Sequence, residues 1–405
     1  MDTSPENPQL LFLMRQRPGS IGGVQSHCRR LVQGLNGAFD IETVQFQGPA
    51  WASVFYFPGF YRQALNSRAL LVHCDDALTA LIGRVIRAKS DKAVVATVHG
   101  HDVTLPFPWY QEAMTRALKA MDAVVCVSRA TAAAVRRRGI DPGKIHVIPN
   151  SCGEIPEPLE KNEELYQAVE NLTGINLRGR KVLFSLGRPV RRKGFDFFIR
   201  EVFPHLPPDC VYIVAGPKIT EPRWSKPLAG LVGRKWVDLA LITLGQDSLH
   251  EQLVHLSRRS RVHYLTDVSD RLRRLLFAAS DLFIMPNRRI YGDMEGFGIV
   301  ALEASACGLP VVATGIEGIT DAVVDGRNGF CVPENDPAAM VRIIKRLLEN
   351  PVELQGLAHK AAQFCRQVFS PARIASQYEA LFHKILADRR PELKCAPPGG
   401  GKAPP

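Results

Sequence analysis

Glu295 and Glu303 stand eight residues apart in GDMEGFGIVALEASACGLP, residues 292–310, around a Gly-Phe-Gly turn. Glu295 precedes the turn, and Glu303 sits in an apolar run from Ile299 to Ala306 that reads as a helix. A carboxylate inside such a helix is costly unless it has a partner. The spacing is about two helical turns, so both acids share one side and can accept from separate hydroxyls of one extended ligand. The competing reading for Glu303 is a helix acid paired to a nearby arginine.

Three other constellations suit the same kind of ligand. Arg188 and Lys193 lie five apart in RPVRRKGFDFF, across a turn that closes at Gly194 and enters a helix. Two cations beside a helix start can neutralise a diphosphate without a metal. Gly22-Gly23 leads into a helix with Val24, Cys28, Leu31, Val32 and Leu35 on one face, and unobstructed amides there can bind a phosphate. In TVHGHDVTLP, His99 follows an apolar run directly, with Gly100 beside it and Asp102 three residues on. The plainer readings are a basic loop, an ordinary strand-to-helix turn and a structural histidine.

To act together these residues must be delivered by strand ends. Candidate strands are 10–15, 41–46, 69–74, 94–98, 123–128 and 144–149, then 181–187, 210–216, 261–265, 281–286, 310–314 and 329–333. Continuous Val/Ile/Leu runs separated by amphipathic helices predict parallel strands buried on both faces, hence two doubly wound α/β domains. Ligands of such sheets bind beyond the carboxyl ends of strands and between domains. The proline-rich, acidic stretch within 151–180 predicts the join, giving one domain over 1–165 and a second over 166–370. A closing helix over 371–390 carries Ile374, Tyr378, Leu381, Phe382 and Ile385 at helical spacing and crosses back. Residues 391–405 read as a disordered tail, and 217–246 as an insertion.

The composition is that of an ordinary globular chain of 405 residues, 22% charged and 46% hydrophobic, long enough for two cores. No apolar run approaches the roughly 18 residues of a membrane span, and the polar start lacks a basic leader, which predicts a cytoplasmic chain. Nine scattered cysteines, without a C-x-x-C pair, predict reduced core thiols. With no H-E-x-x-H and no Asp-x-Asp after any strand, a metal site is not expected; Asp75 and Asp76 are adjacent acids that would point apart. The formal charge of +11 is clustered at 136–138, 188–193, 258–261 and 271–274. That suits solvated faces, an anionic membrane surface or a phosphate-bearing substrate.

Taken together, GGVQ, TVHGHD, VVCVSRATAAAV, IHVIPNS, LGRPVRRKGFD and GDMEGFGIVALEASACGLPVVAT resemble the large retaining glycosyltransferase family with the GT-B fold, over nearly the whole chain. The last stretch is similar to the form in phosphatidylinositol-mannoside mannosyltransferases. The resemblance implies a GT-B architecture, two Rossmann-like domains facing a central cleft, with an acceptor-side first domain and a nucleotide-sugar-binding second one. It implies that Gly23 offers its amide to the donor phosphate and that His99 lies near the transferred sugar. Arg188 and Lys193 would grip the diphosphate. Glu295 and the amides of Phe297 and Gly298 would hold sugar hydroxyls, with Gly296 and Ile299 completing that turn, and Glu303 would hold the ribose. Tyr264 and Leu265 would lie near the base. The donor is then a nucleotide-diphosphate sugar as substrate, with GDP-mannose favoured over UDP-sugars and no cofactor. The acceptor is a lipid-linked or polysaccharide one, and peripheral docking on the inner face of the cytoplasmic membrane accords with the charge. The family's short loop before E-G-F-G is replaced by the longer, basic NRRIYGDM, which points to an anionic acceptor.

Rival functions separate on the same residues. A nucleotide-dependent dehydrogenase would need a G-x-G-x-x-G fingerprint, which is absent, and a nucleic-acid binder an aromatic-interleaved basic platform, also absent. A GT-B nucleotide-sugar epimerase is the nearest alternative and differs in needing no acceptor.

Overall fold

Apolar β-rich runs without polar alternation are stable only where both sheet faces are covered, and twelve such strands form, each within two residues of its expected run. The computed structural model describes residues 8–14, 23–45, 57–153, 159–244, 246–258 and 261–389. The first half contributes β1 (Gln9–Met14), β2 (Asp40–Gln45), β3 (Leu71–Cys74), β4 (Ala93–Val98), β5 (Ala123–Cys126) and β6 (Ile145–Val147). The second contributes β7 (Lys181–Leu186), β8 (Cys210–Gly216), β9 (Val262–Thr266), β10 (Leu282–Met285), β11 (Val311–Thr314) and β12 (Gly329–Val332). Both sheets are parallel, in the orders β2-β1-β3-β4-β5-β6 and β12-β11-β10-β7-β8-β9.

The second order places neighbouring β7 and β10 at the point where the chain reverses its direction of winding. Their following loops separate there and open a crevice for a ligand. In this protein those loops carry Arg188–Lys193 and Asn287–Gly298. Gly194 binds the two together. It adopts a left-handed φ of +64°, and a Cβ there would lie 2.0 Å from the Pro286 carbonyl oxygen, so only glycine fits.

The helix Pro371–Arg389 returns to the first half, where Ile374, Tyr378 and Phe382 are buried with Phe12, Phe39 and Leu31. Each fully buried large apolar side chain contributes about 1.5–3 kcal/mol, which anchors the crossing helix. The expected join is not featureless. Asn162 caps a helix Glu163–Thr173 that ends at the left-handed Gly174, and Leu165 and Val169 pack into the second half's core. The expected boundary at 165/166 falls inside this helix. The 217–246 segment forms helices Ser225–Val232 and Arg234–Leu244. The expected tail over 391–405, and Gly22, lie outside the described residues.

Candidate active site

Two strand-end loops from opposite halves meet at one point. A Cβ on Gly296 would lie 1.8 Å from the His99 carbonyl oxygen, and one on Gly100 would lie 2.8 Å from Gly296 Cα. The turn after β10 therefore lies backbone to backbone against the turn after β4. Gly23, at the start of helix Gly23–Leu35, is beside Ile299, whose Cδ1 would be 3.1 Å from a Cβ at Gly23. Gly298, at φ +92°, is the N-cap of helix Ile299–Ala306. Gly23, His99, Gly296, Gly298 and Ile299 are thus brought together. Phe297 is buried in the second core against Phe369, so its side chain serves packing and only its amide remains for a ligand.

Glu295 directly precedes Gly296 at this meeting point. It is buried, and its Oε2 receives the Lys193 ammonium at 2.6 Å, the Asn287 amide at 2.8 Å and the Arg192 guanidinium. Burial pushes the Glu295 carboxyl up, but Arg192 and Lys193 outweigh it and hold the group at about 2. Burial likewise lowers the Lys193 ammonium, against the pull of Glu295. Lys193 is therefore a cation held in place by Glu295. Arg188 is exposed nearby. Arg192, unassigned by sequence reasoning, is buried and lies 3.0 Å from Asp293, which in turn lies 3.3 Å from His101 Nδ1 of the first half. The signal was present as a third basic residue within RPVRRK, but its partners are about a hundred residues away.

Glu317 closes this cluster from the other side. It accepts the Glu295 amide hydrogen at 2.6 Å from a backbone at φ +49°, a conformation costly for a non-glycine residue. Burial raises its carboxyl from 4.5 to about 7. Between those values the folded chain binds more protons than the unfolded one, so this group's contribution falls as pH rises from 4.5 through 7. Glu317→Gln keeps the acceptor and cannot ionise. It should stabilise the chain by on the order of 1–3 kcal/mol above about pH 7 and leave it unchanged near pH 4.5. Thermal unfolding of both proteins at acid and alkaline pH reads this directly; an equal gain at both ends would remove Glu317 as the titrating group.

His99 is held on both sides. Its amide donates to the Asp102 carboxylate at 3.1 Å, and its Nε2 lies 2.9 Å from the Asp75 carbonyl oxygen. A carbonyl only accepts, so Nε2 carries the hydrogen and Nδ1 is the acceptor nitrogen of the neutral ring. Behind His99 lies His27, edge-on at 5.7 Å between ring centroids, and His27 Nε2 is 3.3 Å from the Tyr378 hydroxyl on the crossing helix. Asp75 and Asp76 are both buried, and Asp76 caps helix Ala77–Lys89 through Thr79. Among the described residues no group of three or more His, Cys, Asp or Glu is disposed to hold a metal ion.

Glu303 has arginine partners here, the arrangement of its competing reading. Arg30 Nη2 of the first half is 3.3 Å from Oε1, and Arg273 Nη1 is 4.0 Å from Oε2. Tyr264 and Leu265 cannot both face a base, since successive strand residues point to opposite faces. Leu265 packs against one core cluster of the second half, while Tyr264 packs against the other, with its hydroxyl 3.2 Å from His250 Nδ1. The basic loop is also less free than it read. Arg289 pairs with Glu334 at 2.5 Å, and the Arg288 guanidinium lies 5.2 Å from the Phe197 ring centroid.

Two family models match the chain, "Glycosyl transferases group 1" over residues 174–364 and "Glycosyltransferase Family 4" over residues 40–152. The chain is 27% identical over 223 residues to a lipopolysaccharide core biosynthesis mannosyltransferase of Rhizobium leguminosarum, covering 55% of this chain and 56% of that protein. It is 29% identical over 283 residues to a GDP-mannose-dependent phosphatidylinositol monomannoside mannosyltransferase of Mycolicibacterium smegmatis, covering 67% and 65%. The chain thus spans between about half and two thirds of the length of these relatives. In fold it is similar to Anabaena HepE crystallised with UDP, with a TM-score of 0.69 at 18% identity over 93% of this chain and all of that one.

Proposed function

The chain belongs to the family 4 glycosyltransferases of GT-B fold, and from that premise we propose that it moves a hexose from a nucleotide-diphosphate sugar to a lipid-linked or polysaccharide acceptor, with retention and without a metal. The observation that carries this reading is the setting of Glu295. Its three donors converge on Oε2, and the turn that follows it rests against the His99 loop of the other half. Oε1 is then the oxygen that takes a sugar hydroxyl, beside the amides of Phe297 and Gly298. The helix starts at Gly23 and Ile299, with Arg188 and Lys193, supply fixed positive charge where the diphosphate leaves. As the anomeric C–O bond breaks, its electron pair goes to that diphosphate, the acceptor hydroxyl oxygen forms the new C–O bond, and the hydroxyl proton passes to the departing diphosphate oxygen. Glu303 and Leu265 border the nucleoside end.

In this reading residues 1–165 present the acceptor and 166–370 hold the donor, with the chain working at the inner face of the cytoplasmic membrane. GDP-mannose is the donor to test first, since a relative that uses it matches two thirds of this chain. A panel of GDP- and UDP-sugars, screened by thermal shift and then by acceptor-dependent transfer, tests the proposal. Donor turnover to a new sugar isomer without any acceptor would replace it with an epimerase. Transfer is expected to survive excess EDTA undiminished, because the leaving charge is met by side chains and helix starts. Loss in EDTA with recovery on adding Mn²⁺ would show that the phosphate site has been misread.

A further inference from the structure

Three of the four tryptophans, Trp109, Trp224 and Trp236, are 74%, 41% and 62% exposed, and Tyr291 and Leu231 are 75% and 83% exposed. Single exposed apolar residues are ordinary, but these belong to segments that converge. A Cβ at Gly292, next to Tyr291, would lie 2.8 Å from the Pro106 ring and 3.3 Å from Leu239. Pro106 stands three residues before Trp109, which lies in the first turn of the helix Pro108–Ala120, and Leu239 is one helical turn beyond Trp236. The helix Arg234–Leu244 is fixed to the loop after β7, where Asp238 takes the Arg191 guanidinium through both oxygens at 2.9 and 3.0 Å. This aromatic rim is therefore mounted on the loop that bears Arg188 and Lys193, at the mouth of the site.

Lys218, Arg223 and Lys235 are exposed in the same insertion, and among the described residues no carboxylate pairs with them. Aromatic side chains with polar tips, a protruding leucine and unpaired cations suit the interface of a bilayer bearing anionic headgroups. The same positive charges would repel a second copy of this face. We propose that the rim built from the 217–246 insertion, the turn at 105–109 and the loop at 287–294 seats the chain on an anionic lipid bilayer with the site facing the headgroups. This deepens the reading of a lipid-linked acceptor, which would then reach the site from the membrane plane. Among the described residues no helix is long and apolar enough to cross a membrane, so the contact is one of surface seating for this part of the chain.

Because most of the tryptophans lie on the rim, their fluorescence reports its contact. The full chain is titrated with phosphatidylcholine vesicles, with and without phosphatidylglycerol, carrying brominated acyl chains. Quenching and a blue shift are expected with the anionic vesicles and should fade as salt is raised. Leu231→Asp combined with Trp236→Ala should lower partitioning at least tenfold, and Lys218→Glu with Lys235→Glu should do so without touching the apolar contact. Both pairs should transfer to a water-soluble acceptor like the native chain. Unquenched tryptophans, or undiminished partitioning of the first pair, would overturn the proposal. So would lipid-free dimerisation that Leu231→Asp abolishes. A chain that seats as described but glycosylates only soluble saccharides keeps the rim and removes the lipid-linked acceptor.

Discussion

Alanine in place of Glu295 is expected to lower folding stability by about 3–5 kcal/mol and to abolish transfer, the cost of removing one member of a buried ion pair. The reason lies in what remains. Arg192 and Lys193 are both buried, and both point at Glu295 Oε2. Without that carboxylate Arg192 keeps Asp293, but the Lys193 ammonium faces a second cation with no counter-charge. The reverse deletion differs. Lys193→Ala leaves Glu295 with Arg192 and Asn287, so the fold should persist while turnover drops ~10²-fold or more, because the loss falls on the charge-separated transition state. Arg188→Ala should likewise lower turnover ~10²-fold or more. Denaturant midpoints beside acceptor-dependent turnover separate the two patterns. A Glu295→Ala protein as stable as the native chain would show that the cluster does not hold the loops together.

The frame that carries these loops was legible because its signal is local. Val94-Val95, Val124-Val125 and Val311-Val312 sit in apolar runs too short for helices and too uniform for a one-sided sheet, which leaves buried parallel strands. The helix Glu163–Thr173 was missed although its marks are present, with Asn162 as cap, two acids in the first turn and Gly174 at the end. Prolines and acids just before it outweighed a single apolar stripe. What sequence could not supply is partnership across distance. Glu295 and Lys193 were both singled out, yet nothing in their spacing said that each was the other's counter-ion. Glu317 bears no motif, and its role comes from a left-handed backbone and burial, neither of which composition records. Tyr264 and Leu265 came as a pair from the resemblance, and the alternation of faces along β9 divides them.

Glu303 is where the two readings of one residue give opposite signs. Arg30 comes from the first half, and its guanidinium also donates to the Ser151 carbonyl at 3.2 Å, so it bridges the halves beside the carboxylate. If Glu303 exists to hold Arg30 alone, Arg30→Met and Glu303→Gln remove the same contact. Both then loosen the halves, and neither changes the intrinsic grip on a nucleotide. If Glu303 accepts from the ribose, Arg30 is a competitor that the donor must displace. Glu303→Gln should then weaken nucleotide binding by about 1.5–3 kcal/mol, the scale of a hydrogen bond to a charged group. Arg30→Met should tighten binding, by about the 0.2–1 kcal/mol that a partly exposed ion pair contributes. The effects should not add, since Arg30→Met has no competitor left to relieve once Glu303 cannot pair with it. Titration calorimetry of the nucleoside diphosphate against both single variants and the double one reads all three values. Affinity unchanged in folded Glu303→Gln, or weakened in Arg30→Met, would leave Glu303 as a clasp between the halves and move the ribose elsewhere.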